Sequence, residues 1–304
     1  MRKTIFIFLF FILIGIPVIA QNYYVWWDKY HNWDGKTPQL NYIKRSPNFM
    51  GPNALPVPQF RGTKIGYRSY FNVGADYYFS KQETTVNPYF HLYFPMQKNR
   101  IAFEMYTRPI EFYKTSIAIR DKRFMRDSVP EGFNKGDTYF ATRVRIWEHL
   151  FWLPDLTLES TLKTTTGKNL ENARHTNAPA YIFNGVLGNY FYGSDTSKNN
   201  IRWHVTLGTY IWQANDNIQN DAFLYGAGIE SKYYKWNFNI NGGGYSGYRK
   251  NGDKPIIARA SVQYNTKNFD FRMQYQRGIQ NYITNSIHIS CSYKINYFDK
   301  WNKY

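Results

Sequence analysis

The chain has 304 residues, with 38 Lys and Arg against 21 Asp and Glu, 20% aromatic letters and one cysteine. Cys291 alone cannot close an internal disulfide and no Cys/His ligand spacing is present, so a disulfide scaffold, a metal site and a resident cofactor are not expected. The 28 Tyr, 23 Phe and 9 Trp exclude full disorder, because that much apolar surface must be buried against something.

Met1, Arg2 and Lys3 precede an apolar run from Ile5 to Ile16, followed by Pro17, Val18, Ile19 and Ala20. This is the pattern of a secretory signal peptide over residues 1–20, with cleavage expected between Ala20 and Gln21. Losing Arg2 and Lys3 lowers the net charge from +17 to +15. Nothing downstream approaches the roughly 18 to 20 consecutive apolar residues of a spanning helix. A mature chain that crosses a membrane therefore does so with strands.

Residues 21–63 show no alternation. They hold Trp26, Trp27 and Trp33, then Pro47, Pro52, Pro56 and Pro58, which favour extended or turn backbone. Two readings stand side by side: a plug-like periplasmic segment that carries the three tryptophans into the barrel or its mouth, and a tether leading into the first strand.

From Lys64 onward, period two recurs between turn-forming clusters. Ile65, Tyr67, Phe71, Val73, Ala75, Tyr77 and Phe79 share one face, and Arg68, Asn72, Gly74 and Asp76 the other. Thr142, Val144 and Ile146 likewise oppose Arg143 and Arg145, and Phe271, Met273 and Tyr275 oppose Arg272, Gln274 and Gln276. Ile101, Phe103 and Met105 are odd-numbered but Ile110 and Phe112 are even, a phase slip that predicts a bulge near Pro109. The pattern predicts twelve strands, at 64–80, 86–97, 100–114, 137–148, 154–166, 179–192, 200–213, 221–232, 234–246, 255–265, 268–277 and 284–296.

The connections sort by side. The second, fourth, eighth and tenth are short, while the third (Thr115 to Gly136) and fifth (Gly167 to Ala178) are long. Long loops on one side and short turns on the other are the pattern of a membrane barrel. A charged side chain facing mid-bilayer lipid costs about 2–4 kcal/mol, so the register of the Arg143/Arg145 strand is strongly fixed. Unpaired strand edges inside a bilayer are costlier still, so the sheet must close. A soluble β-sandwich or propeller also alternates, but its inner faces would be apolar and its loops would not sort by side.

Residues 64–304 resemble the outer-membrane β-barrel class of Gram-negative bacteria, including a terminal aromatic cluster (Tyr297, Phe298, Trp301, Tyr304) similar to the C-terminal signal such barrels present for insertion. The resemblance implies an all-β antiparallel transmembrane barrel in the bacterial outer membrane, in contact with its lipid and lipopolysaccharide. In architecture and charge it is similar to twelve-stranded porins for acidic oligosaccharides, whose lumens are lined by arginine.

With the apolar faces turned to lipid, the lumen collects Arg68, Arg108, Arg143, Arg145, Lys163, Arg202, Arg259 and Arg272 among a smaller number of acids. These residues are the candidates for lining a pore and contacting anions, with Arg143 and Arg145 the best local pair. The ordinary alternative is a salt-bridged rigid interior. The function expected is passive permeation of small, preferably anionic solutes. A non-conducting barrel serving as a scaffold or envelope partner is the second reading.

Catalysis is a distant third. His288 and Ser290 look like the His-x-Ser of lipid A deacylases, but Cys291 stands where that family places Asn, so no catalytic residue is assigned. The charge-dense third loop (Arg120, Asp121, Lys122, Arg123, Arg126, Asp127, Glu131) could contact lipopolysaccharide phosphates or remain a solvated loop. Nucleic acid is not an expected partner of an exported chain whose bases are spread along strands.

Overall fold

In the computed structural model the described residues are 25–150, 152–214 and 218–295, so the expected leader (1–20) and the terminal cluster Tyr297, Phe298, Trp301 and Tyr304 lie outside them. The chain divides into two units, one running through Thr37 and one from Pro38 onward.

The first unit contains a short helix, Val25–Tyr30, on which the Trp27 ring lies 4.8 Å from that of His31. A turn closes the unit. Asp34 Oδ1 accepts from Lys36 N at 2.9 Å and Thr37 N at 2.8 Å, and Trp33 Nε1 donates to Thr37 O at 2.7 Å.

In the second unit the strands are β1 (Ser69–Phe79), β2 (Glu83–Met96), β3 (Ile101–Thr107), β4 (Ile110–Thr115), β5 (Glu131–Lys135), β6 (Thr138–Trp147) and β7 (Asp155–Lys163). They continue as β8 (Ala180–Tyr192), β9 (Asn199–Gln213), β10 (Gln219–Tyr233), β11 (Trp236–Ser246), β12 (Ile256–Asn265), β13 (Phe269–Gln280) and β14 (Asn285–Ile295). Each pairs antiparallel with its neighbour, and β1 bonds both β2 and β14, which closes the sheet.

Segments β3 and β4 both pair with β2 across a break at Arg108-Pro109, and β5 and β6 face them across Gly136-Asp137. The result is a barrel of twelve continuous strands. The break has a local cause. Pro109 has no N–H for the ladder, its carbonyl accepts from Gly136 N at 3.2 Å, and a β-carbon on Gly136 would collide with Arg108 O. Beyond the bulge the ladder continues, so the fourth strand begins at Glu131 and not at 137. The loop before it carries a short helix, Ile117–Lys122, whose first turn is capped by Ser116 Oγ accepting from Ile119 N.

Val73, Phe103, Phe140, Leu158, Leu207, Phe223, Ile240, Phe271 and Ile289 are exposed on the outer wall, while Asn72, Glu104, Arg143, Thr157, Arg202, Gln274 and Ser290 are buried inside. This apolar belt over a largely polar interior inverts the soluble pattern and suits a lipid solvent. Among the described residues no helix is long and apolar enough to cross a membrane, so the strands do the crossing. The loops at 116–130 and 164–179 lie at one mouth, and the turns at 97–100, 234–235 and 266–268 lie at the other.

The first strand starts at Ser69, five residues later than its alternation suggests. Ile65 does not face lipid; it is buried beside Tyr93 and Ala102. The reason is that residues 38–68 run lengthwise through the lumen. At the long-loop mouth Gln39 Nε2 donates to Phe124 O (2.6 Å) and Glu171 O (3.2 Å). At the other mouth Lys64 pairs with Glu148 and Asp195 in the short connections. The chain must leave the lumen there before it can join the wall.

This threading predicts a labelling pattern. In a Cys291→Ser background, Asn41→Cys should react with a membrane-impermeant maleimide on intact cells and Lys235→Cys, at the short-turn mouth, should not; the reverse pattern would invert the barrel's orientation.

Candidate functional site

A proline-containing segment without a strand ladder must satisfy its carbonyls some other way. The lumen wall supplies the donors. Tyr282 Oη donates to Pro52 O (2.9 Å) and Tyr245 Oη to Leu55 O (2.8 Å). Arg259 donates to Val57 O (2.7 Å) and Pro58 O (2.6 Å), and Arg143 to Gly62 O (2.6 Å) and Lys64 O (3.2 Å). Thr157 Oγ1 donates to Thr63 O at 2.7 Å. In the other direction, Gly62 N donates to Glu230 at 2.9 Å.

Apolar packing complements these bonds. Ile43, Met50, Leu55, Val57 and Phe60 are buried against Ile182, Tyr210, Trp212, Leu224, Tyr245 and Ile257 on the inner faces of β8 to β12. The Phe60 ring lies over Gly226, where a β-carbon would come within 2.5 Å of it. Glycine is therefore required at this position for the segment to seat.

The segment leaves a cavity of about 230 Å³ between residues 56–61 and the wall of β1 to β3, β6 to β8 and β12 to β14. Each carboxylate facing this cavity has a cationic partner. Asp76 is held by Arg108 Nε (2.6 Å) and His288 Nδ1 (2.8 Å), and Asp270 by Lys294 (2.6 Å). Arg61 spans Glu104 and Glu159, both at 2.7 Å, and His91 adds a 2.9 Å contact to Glu104. Among the described residues Arg272 and Arg259 have no carboxylate within 4.0 Å; Arg272 donates to Gln274 and Arg259 also to Gln276. Two guanidinium groups beside the cavity thus have no ion-pair partner, although the four arginines of the lining equal its four carboxylates in number.

The structure places the eight basic candidates in three settings. Arg108, Arg259 and Arg272 line the cavity. Arg143 holds the lumen segment, and Arg202 reaches it through Thr63 Oγ1 (2.7 Å) while pairing with Asp155 (2.9 Å). Arg68, Arg145 and Lys163 lie elsewhere. Arg68 donates to Lys267 O, Arg145 pairs with Glu148, and Lys163 is fully buried against Asp137 at 2.8 Å.

Arg143 and Arg145 are therefore not a free anion-binding pair, because each already faces a carboxylate, Glu159 at 3.6 Å for Arg143 and Glu148 for Arg145. Trp26, Trp27 and Trp33 belong to the first unit. His288 faces Asp76, and Ser290 Oγ accepts from Asn72 Nδ2 at 3.2 Å; among the described residues no hydrogen bond joins His288 to Ser290.

Alternation could not reveal the residues that close the long-loop mouth. Glu83 is gripped by Arg123 (2.6 Å) and Arg174 (2.5 Å), and Arg174 also pairs with Glu111 (2.6 Å). Burial opposes the Arg174 charge, yet Glu111 and Glu83 outweigh it and raise its pKa. Gly51 N donates to Ala173 O and Arg126 N to Glu171 O, which knits both long loops to the segment. At the short-turn mouth, burial pushes Asp195 up but hydrogen bonds from Lys64 and Tyr190 bring it down to about 2.

No family model matches the chain, and no curated protein sequence matches it. Solved structures do. An outer membrane channel from Pseudomonas putida F1 superposes with a TM-score of 0.53 at 12% identity, covering 79% of this chain and 100% of that one. The NanC porin (TM-score 0.47, 13% identity) and the KdgM porin (0.43, 6%) each cover 74% of this chain and, respectively, 100% and 99% of their own. The fold is that of an outer-membrane β-barrel.

Removing Arg174 leaves the buried Glu111 without its cationic partner and Glu83 with Arg123 alone. Arg174→Met is expected to lower unfolding stability by about 3–5 kcal/mol, read from urea unfolding of the refolded protein; a change within about 0.5 kcal/mol, the range of an ordinary surface substitution, would contradict the clamp.

Proposed function

We propose that the protein is a gated outer-membrane channel for small solutes, favouring anions, whose own residues 38–63 occlude the pathway. The observation that carries this reading is the manner in which the segment is held. Its bonds to the wall run through side chains, Arg61, Arg143, Arg259, Tyr245 and Tyr282, and not through strand pairing. Contacts of that kind can be released without opening the barrel wall. The cavity that remains presents Arg259 and Arg272, which no carboxylate pairs, and guanidinium groups so placed favour anionic solutes. The anion preference therefore rests on these two residues and not on Arg143 and Arg145.

A second reading is supported by the buried Glu83, Arg123, Arg174 and Glu111 network, which locks the long loops over the lumen. Such a lock suits a non-conducting barrel that acts as a scaffold for an envelope partner.

Planar-bilayer recording separates the two. The wild type is expected to open rarely, and Arg61→Ala, Phe60→Ala or Gly226→Leu should each raise the open probability by unseating the segment. In a salt gradient the reversal potential should indicate anion preference, and Arg272→Gln should weaken it while leaving open probability unchanged. Silence from all of these forms, with insertion verified, would reject the channel and leave the scaffold.

A further inference from the structure

The rim of the long-loop mouth holds a second concavity, of about 480 Å³, built from two parts of the chain. Lys44, Asn48 and Phe49 come from the lumen segment; Lys250, Asn251 and Lys254 come from the loop between β11 and β12. Ser46 Oγ donates to Asn251 O at 2.8 Å and joins the two halves. Lys44 Nζ stands 4.7 Å from the centre of the Phe49 ring, and Lys122 Nζ, from the short helix of the β4–β5 loop, stands 5.1 Å from it.

Among the described residues the lysines with a carboxylate within 4.0 Å are Lys64, Lys114, Lys163 and Lys294; Lys44, Lys122, Lys250 and Lys254 have none. The single carboxylate in the concavity, Asp253, is buried in its floor. Its Oδ2 accepts from Arg249 N (2.9 Å) and Asn220 Nδ2 (3.0 Å), so it shapes the turn and neutralises no lysine. Lys250, which lines the concavity, adopts a left-handed backbone, φ +53°, a conformation that an L-residue takes at a cost. Convergent like charges repel, and an anion seated among them turns that repulsion into attraction. The amides of Asn48 and Asn251 border the same space, and Asn281 Nδ2 donates to Lys254 O at 3.3 Å.

We propose that this basin binds an oxyanion, a phosphate or carboxylate group, and that the bound anion bridges the lumen segment to the barrel rim. Lys44 contributes the segment's side of the bridge and Lys250 and Lys254 the wall's side. An occupied basin holds the segment seated. The binding site stands on the lysines alone; the effect on opening rests on the proposed reading of residues 38–63 as the channel's occluder. Lipopolysaccharide phosphates in the outer leaflet and a soluble anion offer the same chemistry to these groups.

The test is titration of the full refolded protein in zwitterionic micelles with inorganic tripolyphosphate, followed by calorimetry. Saturable binding is expected, weakened by about tenfold or more in Lys250→Gln/Lys254→Gln and in Lys44→Gln, and unchanged in Lys98→Gln/Lys235→Gln at the opposite mouth. Heat-modifiable migration checks that each variant is folded. Absence of saturable binding, or binding that the rim substitutions leave unaltered, overturns the site.

Repeating the titration in phosphatidylcholine vesicles with and without lipopolysaccharide identifies the source. Probe binding abolished by lipopolysaccharide assigns the basin to the lipid headgroup, and retained binding assigns it to a soluble anion. In bilayers the probe should lower the opening of the wild type and spare Lys44→Gln. Binding without that effect overturns the bridge, whereas silent bilayers with intact probe binding contradict the channel and not the site.

Discussion

The structure depends on how a chain without a strand ladder satisfies its backbone inside a barrel. Residues 52–64 present a row of carbonyls to an interior where an unpaired polar group is costly. Tyr282, Tyr245, Arg259, Arg143 and Thr157 answer them one after another along the lumen. Prolines reduce the number of donors the segment must place, since Pro52, Pro56 and Pro58 have no N–H of their own. The segment and the wall are thus complementary: one is rich in acceptors, the other in side-chain donors.

That division of labour determines what the lumen's positive charge can do. Arginines at 143, 202 and 259 are engaged first with the segment, and Arg108 with Asp76. Arg61, on the segment itself, bonds both Glu104 and Glu159, so a single side chain ties the segment to two strands. What remains for a solute is Arg272 and the face of Arg259 turned to the cavity, the two arginines there that no carboxylate pairs. A channel arranged in this way links conduction to the seating of its own segment, because movement of residues 56–61 would enlarge the cavity and release wall donors together.

Much of the wall was legible in the sequence. Period two, the phase slip at Pro109 and the sorting of loop lengths led to the strands, the closure and the two faces, since one register error would turn Arg143 or Arg272 into lipid. The lumen segment was legible only as one of two readings for residues 21–63, plug or tether, because alternation has nothing to say about a chain that pairs with no strand. Arg61, Lys64, Arg174 and Glu83 were missed for that reason; each acts through a partner far away in sequence. One signal was present. Tyr181, Ile182 and Phe183, and again Tyr210, Ile211 and Trp212, are apolar on both faces, and an apolar inner face in a polar lumen calls for something to cover it.

The most direct test of the account is a disulfide between segment and wall. With Cys291→Ser, a Phe60→Cys/Gly226→Cys pair should cross-link under mild oxidation in isolated outer membranes, as efficiently as the strand-to-strand control Tyr210→Cys/Ala222→Cys. Cross-linking of the control with none between positions 60 and 226 would place the segment outside the lumen and contradict the account at its root.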